Sequence, residues 1–293
     1  MNLWVRTAPA VFVVVWSTGF IGARYGLPYA APLTLLALRM ALAAIVLAAL
    51  FAVLRAPKLT THQQFSRSTV IGILLHGVYL GGAFIAIDLG LPLSVTALIV
   101  CLQPLLVAVL AGPYLGEEVR ARQWLGFGLG FAGAAVVLAP GITNGTMSIP
   151  AASAAVAALA GSTIATLLQK KWGAEIPPLS GTLVQYVAAA VVLFIVAAVT
   201  EPLTVDWSVS FAAVLAYMVV VLSVAAILLM FWLLRRGSAS GFSSLYFLVP
   251  PVTLLEAALL FGERLPLSAL IGFAVATLGV ALVRAPPQLA ETS

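Results

Sequence analysis

Residues 102–117 read LQPLLVAVLAGPYLGE, and residues 248–263 read LVPPVTLLEAALLFGE. Both are apolar stretches with proline at the third position, closed by Gly-Glu. Pro104 matches Pro250 and Glu117 matches Glu263, each pair 146 residues apart, half of the 293-residue chain. The register continues without a gap through Gly126/Gly272, Phe127/Phe273, Gly133/Gly279 and Pro140/Pro286. A fixed-period self-similarity of this kind is an internal duplication. The halves divide into residues 1–140 and 141–293.

The chain is 63% hydrophobic and 8% charged, against about 25% charged in an average soluble protein. A globular surface needs more charge than this, so the composition implies an all-α integral membrane protein. In a soluble chain the net charge of +5 would suggest nucleic acid. Here the basic residues fall in short loops, so they report topology and no nucleic-acid partner is expected. The single cysteine, Cys101, lies inside a predicted span, so no intrachain disulfide can form. Arg6 followed by the apolar run 11–16 mimics a signal peptide, but it reads as an uncleaved first span.

A bilayer core of ~30 Å needs ~20 helical residues. Ten segments fit: 7–23, 33–54, 68–88, 93–115, 121–139, 149–169, 179–199, 208–234, 239–261 and 266–284. The breaks fall at turn residues such as Pro28, Pro32, Pro57, Gly90, Pro177-Pro178, Pro202 and Gly237. Eleven Lys and Arg lie in one set of loops and only Arg24 and Arg264 in the other. The richer side is therefore expected to be cytoplasmic, with both termini inside. Five spans per half is an odd number, so the second copy must enter the membrane inverted. Inverted repeats place a pseudo-two-fold axis in the membrane plane and a substrate site near the midplane.

These features resemble the EamA-type branch of the drug/metabolite transporter superfamily. The carrying residues are the "Pro…Leu-Gly-Glu…Gly" pattern over Ala97–Gly133 and its second copy over Ser243–Gly279, with Arg39 and Trp16-Ser17. The resemblance covers nearly the whole chain and implies a bacterial inner-membrane exporter of small organic solutes. Within the family the likeness is to aromatic amino-acid exporters. The copies differ at one telling place: Gln185 stands where Arg39 stands in the first half.

Several chemistries lack their residues. No Gly-Lys dipeptide exists to build an ATP-binding loop, and His62 and His76 are the only histidines, so a His-Glu-x-x-His zinc site is absent. No catalytic residue, metal or cofactor is expected. The first span has no acidic residue, unlike the small multidrug exporters that resemble half of this chain. A membrane enzyme would need a convergent acid/base cluster, and a passive channel a polar stripe or symmetric filter. Neither is evident.

Polar and aromatic groups at mid-depth are costly unless they face protein or a water-filled cavity. Trp16, His76, Tyr79 and Gln103 fall near the midplane, as do Thr163 and Thr166, with Ser244 and Tyr246 as weaker candidates. His76 and Tyr79, three apart, share a helix face. Trp16 and Tyr79 can sandwich an apolar or aromatic solute while His76 and Gln103 supply hydrogen bonds. Alternatively, Trp16 packs on a neighbour and His76 bonds across helices. Arg39 and Glu256 are the charges well inside spans, at matched depth in the outer third. They are expected to interact, as a fixed bridge or in gating or coupling; the alternative is two separately solvated charges. Pro104, Pro250 and Pro251 interrupt the helical ladder and are expected to act as bends, either flexing points or static kinks that shape a cavity. Gly126, Gly130 and Ala134 form a small-residue stripe for close helix approach, within the chain or between protomers. Glu117 and Glu263 are expected to cap turns.

Overall fold

The computed structural model describes residues 3–91, 93–138, 148–261 and 267–283. These residues form ten helical elements: α1 (Leu3–Gly26), α2 (Pro32–Val53), α3 (His62–Asp88), α4 (Leu93–Val100 resumed as Gln103–Leu115), α5 (Ala121–Leu138), α6 (Ile149–Trp172), α7 (Pro178–Thr200), α8 (Val209–Arg236), α9 (Ala239–Ser243, Ser244–Leu248 and Val249–Phe261) and α10 (Leu267–Val283). Eight are long and apolar enough to cross a membrane. The fold is an all-α membrane architecture.

The duplication reappears in the helix boundaries. Leu3 and Ile149 open α1 and α6, Pro32 and Pro178 open α2 and α7, and Ala121 and Leu267 open α5 and α10. Each pair is 146 residues apart. The irregularities repeat too. α3 carries a π-turn over Ile73–Tyr79 and α8 one over Met218–Ala225. α4 restarts at Gln103 and α9 restarts at Val249, again 146 apart.

Local chemistry explains where helices begin. Thr61, Ser148, Ser208 and Ser238 each cap a helix by accepting the N–H three residues on. The cap at Thr61 starts the third helix at His62 rather than at 68 as expected, which shortens the preceding loop. Pro104, Pro250 and Pro251 fall in the first turn of their helical segments, where a missing N–H costs nothing. The backbone stays in the helical region at Leu102 and Val249, so the prolines follow a change of helical turn inside one span. The Cys101 thiol reaches the Tyr246 carbonyl (3.9 Å), so the two breaks meet.

Packing orders the helices by contact. Along α1 and α9 the partners advance together: Phe12 with Phe242, Trp16 with Tyr246, Ser17 with Val249 and Thr253. These helices are parallel. α5 and α10 pack along their whole length in the opposite sense. A Cβ added at Gly126 would stand 2.6 Å from the Gly279 oxygen, and one added at Gly133 would stand 2.6 Å from the Gly272 oxygen. The small-residue stripe therefore serves contact within the chain. Gly126 and Gly133 face α10, and Gly130 lies between Gly279 of α10 and the Phe247 ring. α2 and α7 form the other extended repeat-related pair.

Candidate substrate-binding site

A cavity opens between α1, α2, α3, α4, α7 and α8. Its wall includes Trp16, Arg39, His76, Tyr79, Thr96 and Tyr186, with Leu80, Ala83, Phe84 and Ile87 continuing along α3. At 1.5 Å per residue, the line from His76 to Ile87 extends roughly 16 Å. The wall is mostly apolar, with a polar cluster at one place. The His76 and Tyr186 rings stack with centroids 4.2 Å apart, and Arg39 lies beside both, close enough to act on them electrostatically. The free volume is about 70 Å³, well below the ~300–1,000 Å³ of pockets that enclose drug-sized ligands. The site is constricted in this conformation.

The sequence placed Trp16, His76 and Tyr79 at mid-depth facing a cavity, and all three line it. The carrying segment of α3 is a π-turn rather than the α-helix assumed by the spacing argument. π-turns insert a residue into the helical ladder and recur at functional sites. The repeat-related π-turn of α8 contributes Leu222 to the wall and Ser223 to Arg39.

Other expected members lie elsewhere. Gln103 donates to Thr166 Oγ1 at 3.1 Å, tying α4 to α6 outside the cavity wall. Thr163 and Thr166 return hydrogen bonds to the Leu159 and Ser162 carbonyls of their own helix. Ser244 does the same with Gly241. Tyr246 backs the site: its ring meets Trp16 edge-on at 5.8 Å, and together with Phe12 and Phe242 they make a buried aromatic cluster. Depth counting finds a residue's level in the membrane but not the azimuth that separates cavity wall from helix interface.

The expected Arg39–Glu256 pair is not formed. Arg39 Nε donates to Ser223 Oγ at 2.8 Å, with Arg39 7% exposed. Both Glu256 oxygens are buried without a hydrogen-bond partner among the described residues. Matched depth failed as a guide because the α2 face bearing Arg39 turns onto α8, whereas α9 packs on α1, α5 and α10. Tyr186 and Ser223 were missed, although the rule that singled out Tyr79, a polar group deep in an apolar span, applies to both.

The end of the molecule toward which α1 begins is closed by polar contacts. Glu117, after α4, accepts from Ala239 N (2.7 Å), Ser240 N (3.2 Å) and Ser240 Oγ (3.0 Å), capping α9. Lys170 bonds the Leu234 and Gly237 carbonyls, and Arg235 those of Gly173 and Ile176. Arg67 pairs with Glu175. At the other end, Glu201 caps α2 through Leu33 N, Thr34 N and Thr34 Oγ1. Glu117 thus caps a helix as expected; Glu263 lies outside the described residues.

The EamA-like transporter family matches residues 7–139 and again 149–285, one copy per half. The uncharacterized transporter YvbV of Bacillus subtilis is 26% identical over 275 residues, covering 94% of this chain and 89% of that protein. The uncharacterized inner membrane transporter YedA of Escherichia coli K12 is 27% identical over 277 residues, covering 92% and 87%. A protein of known crystal structure superposes with a TM-score of 0.79 at 20% identity, covering 94% of this chain and 95% of that one, which establishes the shared fold. The names of these relatives specify no substrate.

Proposed function

The chain belongs to the EamA-like transporter family, and from that premise we propose a secondary transporter that exports small organic solutes, with neutral amino acids bearing large or aromatic side chains as substrates. The family is one of transporters, so the enzyme reading falls away. The observation that carries the substrate reading is the cavity itself, where apolar walls and the rings of Trp16, Tyr79 and Tyr186 meet one polar cluster. A sugar phosphate suits it badly, because phosphate recognition wants several Arg or Lys and among the described residues Arg39 is the single Arg or Lys on the wall.

We further propose an inner-membrane location, matching the printed description of YedA, with both termini cytoplasmic and the halves divided near residue 140 as an inverted repeat. Supporting the inversion, α5 and α10 run antiparallel and exchange equivalent contacts, Gly126 with Gly279 and Gly133 with Gly272. That reciprocity is the signature of a two-fold axis crossing the helices. Supporting the orientation, the basic residues cluster at the end closed by Glu117, Lys170 and Arg235. The cavity runs the other way, past Ala23, Ile87 and Thr96. In this reading the conformation is sealed toward the cytoplasm, and transport alternates this seal with its opposite.

Counterflow of labelled solutes into proteoliposomes holding the full chain tests the assignment. Phenylalanine, tryptophan or tyrosine should exchange, and sugar phosphates should not. Exchange of phosphorylated sugars in preference to amino acids overturns it, and flux without counterflow would favour a channel.

A further inference from the structure

Arg39 is a charged side chain at the cavity wall with little protein to hold it. It is buried at the cavity wall, and its Nε hydrogen bond to Ser223 Oγ engages only one of its three nitrogens. Among the described residues no carboxylate pairs with it, and Nη1 and Nη2 have no protein acceptor. A guanidinium keeps its charge in proteins, and a lone charge inside a membrane protein is expensive. Such residues face cavities and mark substrate pathways.

Two further polar atoms beside it are also orphaned. Tyr186 Oη and His76 Nε2 are buried without partners, and their rings are in contact. Three groups on α2, α3 and α7 thus converge with hydrogen-bonding capacity unused. The duplication sharpens the point. At the position equivalent to Arg39 the second half has the neutral Gln185, whose amide group donates to Gln169 Oε1 at 3.1 Å while its own Oε1 lies buried without a partner. Fold symmetry alone would not require a charge at one of two equivalent sites.

We propose that Arg39 is the carboxylate anchor of the transported solute, holding it through Nη1 and Nη2, with Tyr186 and His76 completing the polar subsite and Ser223 fixing the guanidinium. The forked geometry of arginine matches a carboxylate two-pronged. The apolar body of the solute lies along Leu80, Ala83 and Phe84. This deepens the amino-acid reading and rests on the same cavity, but it commits to more: the recognised group is an organic anion, and among the described residues the wall supplies no acidic side chain to hold an ammonium group.

The test uses two matched pairs, L-phenylalanine with L-phenylalaninamide and 3-phenylpropionate with 3-phenylpropanamide, measured by equilibrium binding to the purified full chain. The wild-type protein should bind each carboxylate at least tenfold more tightly than its amide. In Arg39→Gln that ratio should fall below threefold, and Arg39→Lys should retain part of it. Tyr186→Phe, which removes only a hydroxyl, should weaken the carboxylates several-fold and leave the amides unchanged, which keeps the test alive if Arg39→Gln does not fold. Binding of 3-phenylpropionate without phenylalanine, still dependent on Arg39, would remove the amino-acid reading and uphold the subsite. A carboxylate preference that survives in folded Arg39→Gln, or wild-type protein indifferent between acid and amide, overturns the subsite while leaving transport of aromatic solutes intact.

Discussion

Replacing Glu117 by Gln tests whether the contact between the end of α4 and the start of α9 holds the molecule shut. The carboxylate takes three hydrogen bonds there, from Ala239 N, Ser240 N and Ser240 Oγ. Hydrogen bonds to a charged group contribute ~1.5–3 kcal/mol each, and loss of an N-cap alone costs about 1 kcal/mol. Glutamine keeps one acceptor oxygen but turns an NH2 group toward a backbone N–H on the other side, so the net loss is ~1.5–2 kcal/mol. Opening this end must break these bonds in the native protein. At 1.4 kcal/mol per tenfold, the population open at this end should therefore rise roughly 10–30-fold. Ser243 is fully buried just inside the closed end. A Ser243→Cys substitution in a Cys101→Ala background would report opening through its rate of reaction with a water-soluble thiol reagent. Glu117→Gln should accelerate that rate by about tenfold or more. Glu201→Gln, which removes the equivalent cap on α2 at the opposite end, should not. A folded Glu117→Gln protein with an unchanged labelling rate would refute the idea that this cap restrains opening.

Single cysteines at Thr61 and Ser238 should escape an impermeant thiol reagent on intact cells while one at Thr204 reacts; the reverse pattern would invert the proposed orientation. Tyr79→Ala should remove a stacking surface contributing ~0.5–1.5 kcal/mol beyond its area and raise the half-saturating concentration for aromatic solutes several-fold in vesicle transport. Gly133→Val puts a side chain 2.5 Å from the Ala276 backbone nitrogen, which cannot swing aside. Overpacking of ~1–3 kcal/mol should lower the melting temperature in detergent, whereas Gly128→Ala, with open space around it, should leave it unchanged. Arg39→Gln and Glu256→Gln should be additive in thermal stability to within ~0.3–0.5 kcal/mol, since they share no contact; a larger coupling would restore the pair that the sequence suggested.

The duplication, the ten helices and the membrane class were legible in the sequence because each rests on a long sum. A 146-residue register repeated at many positions, and 63% apolar residues in ~20-residue runs, survive local error. That Trp16, His76 and Tyr79 come to one cavity was anticipated because rise per residue converts position along a span into relative height. The partners of Arg39 and Gln103 were not. Each side chain's neighbours depend on the rotation of its helix and on which helices touch, and that is decided by packing such as the glycine-mediated approach of α5 to α10. The paired π-turns left no trace in residue type, yet they set which side chains of α3 and α8 reach the cavity. Sequence determined which segments would be buried in helices; tertiary structure alone decided what each buried group would meet, because contact is a property of several helices at once.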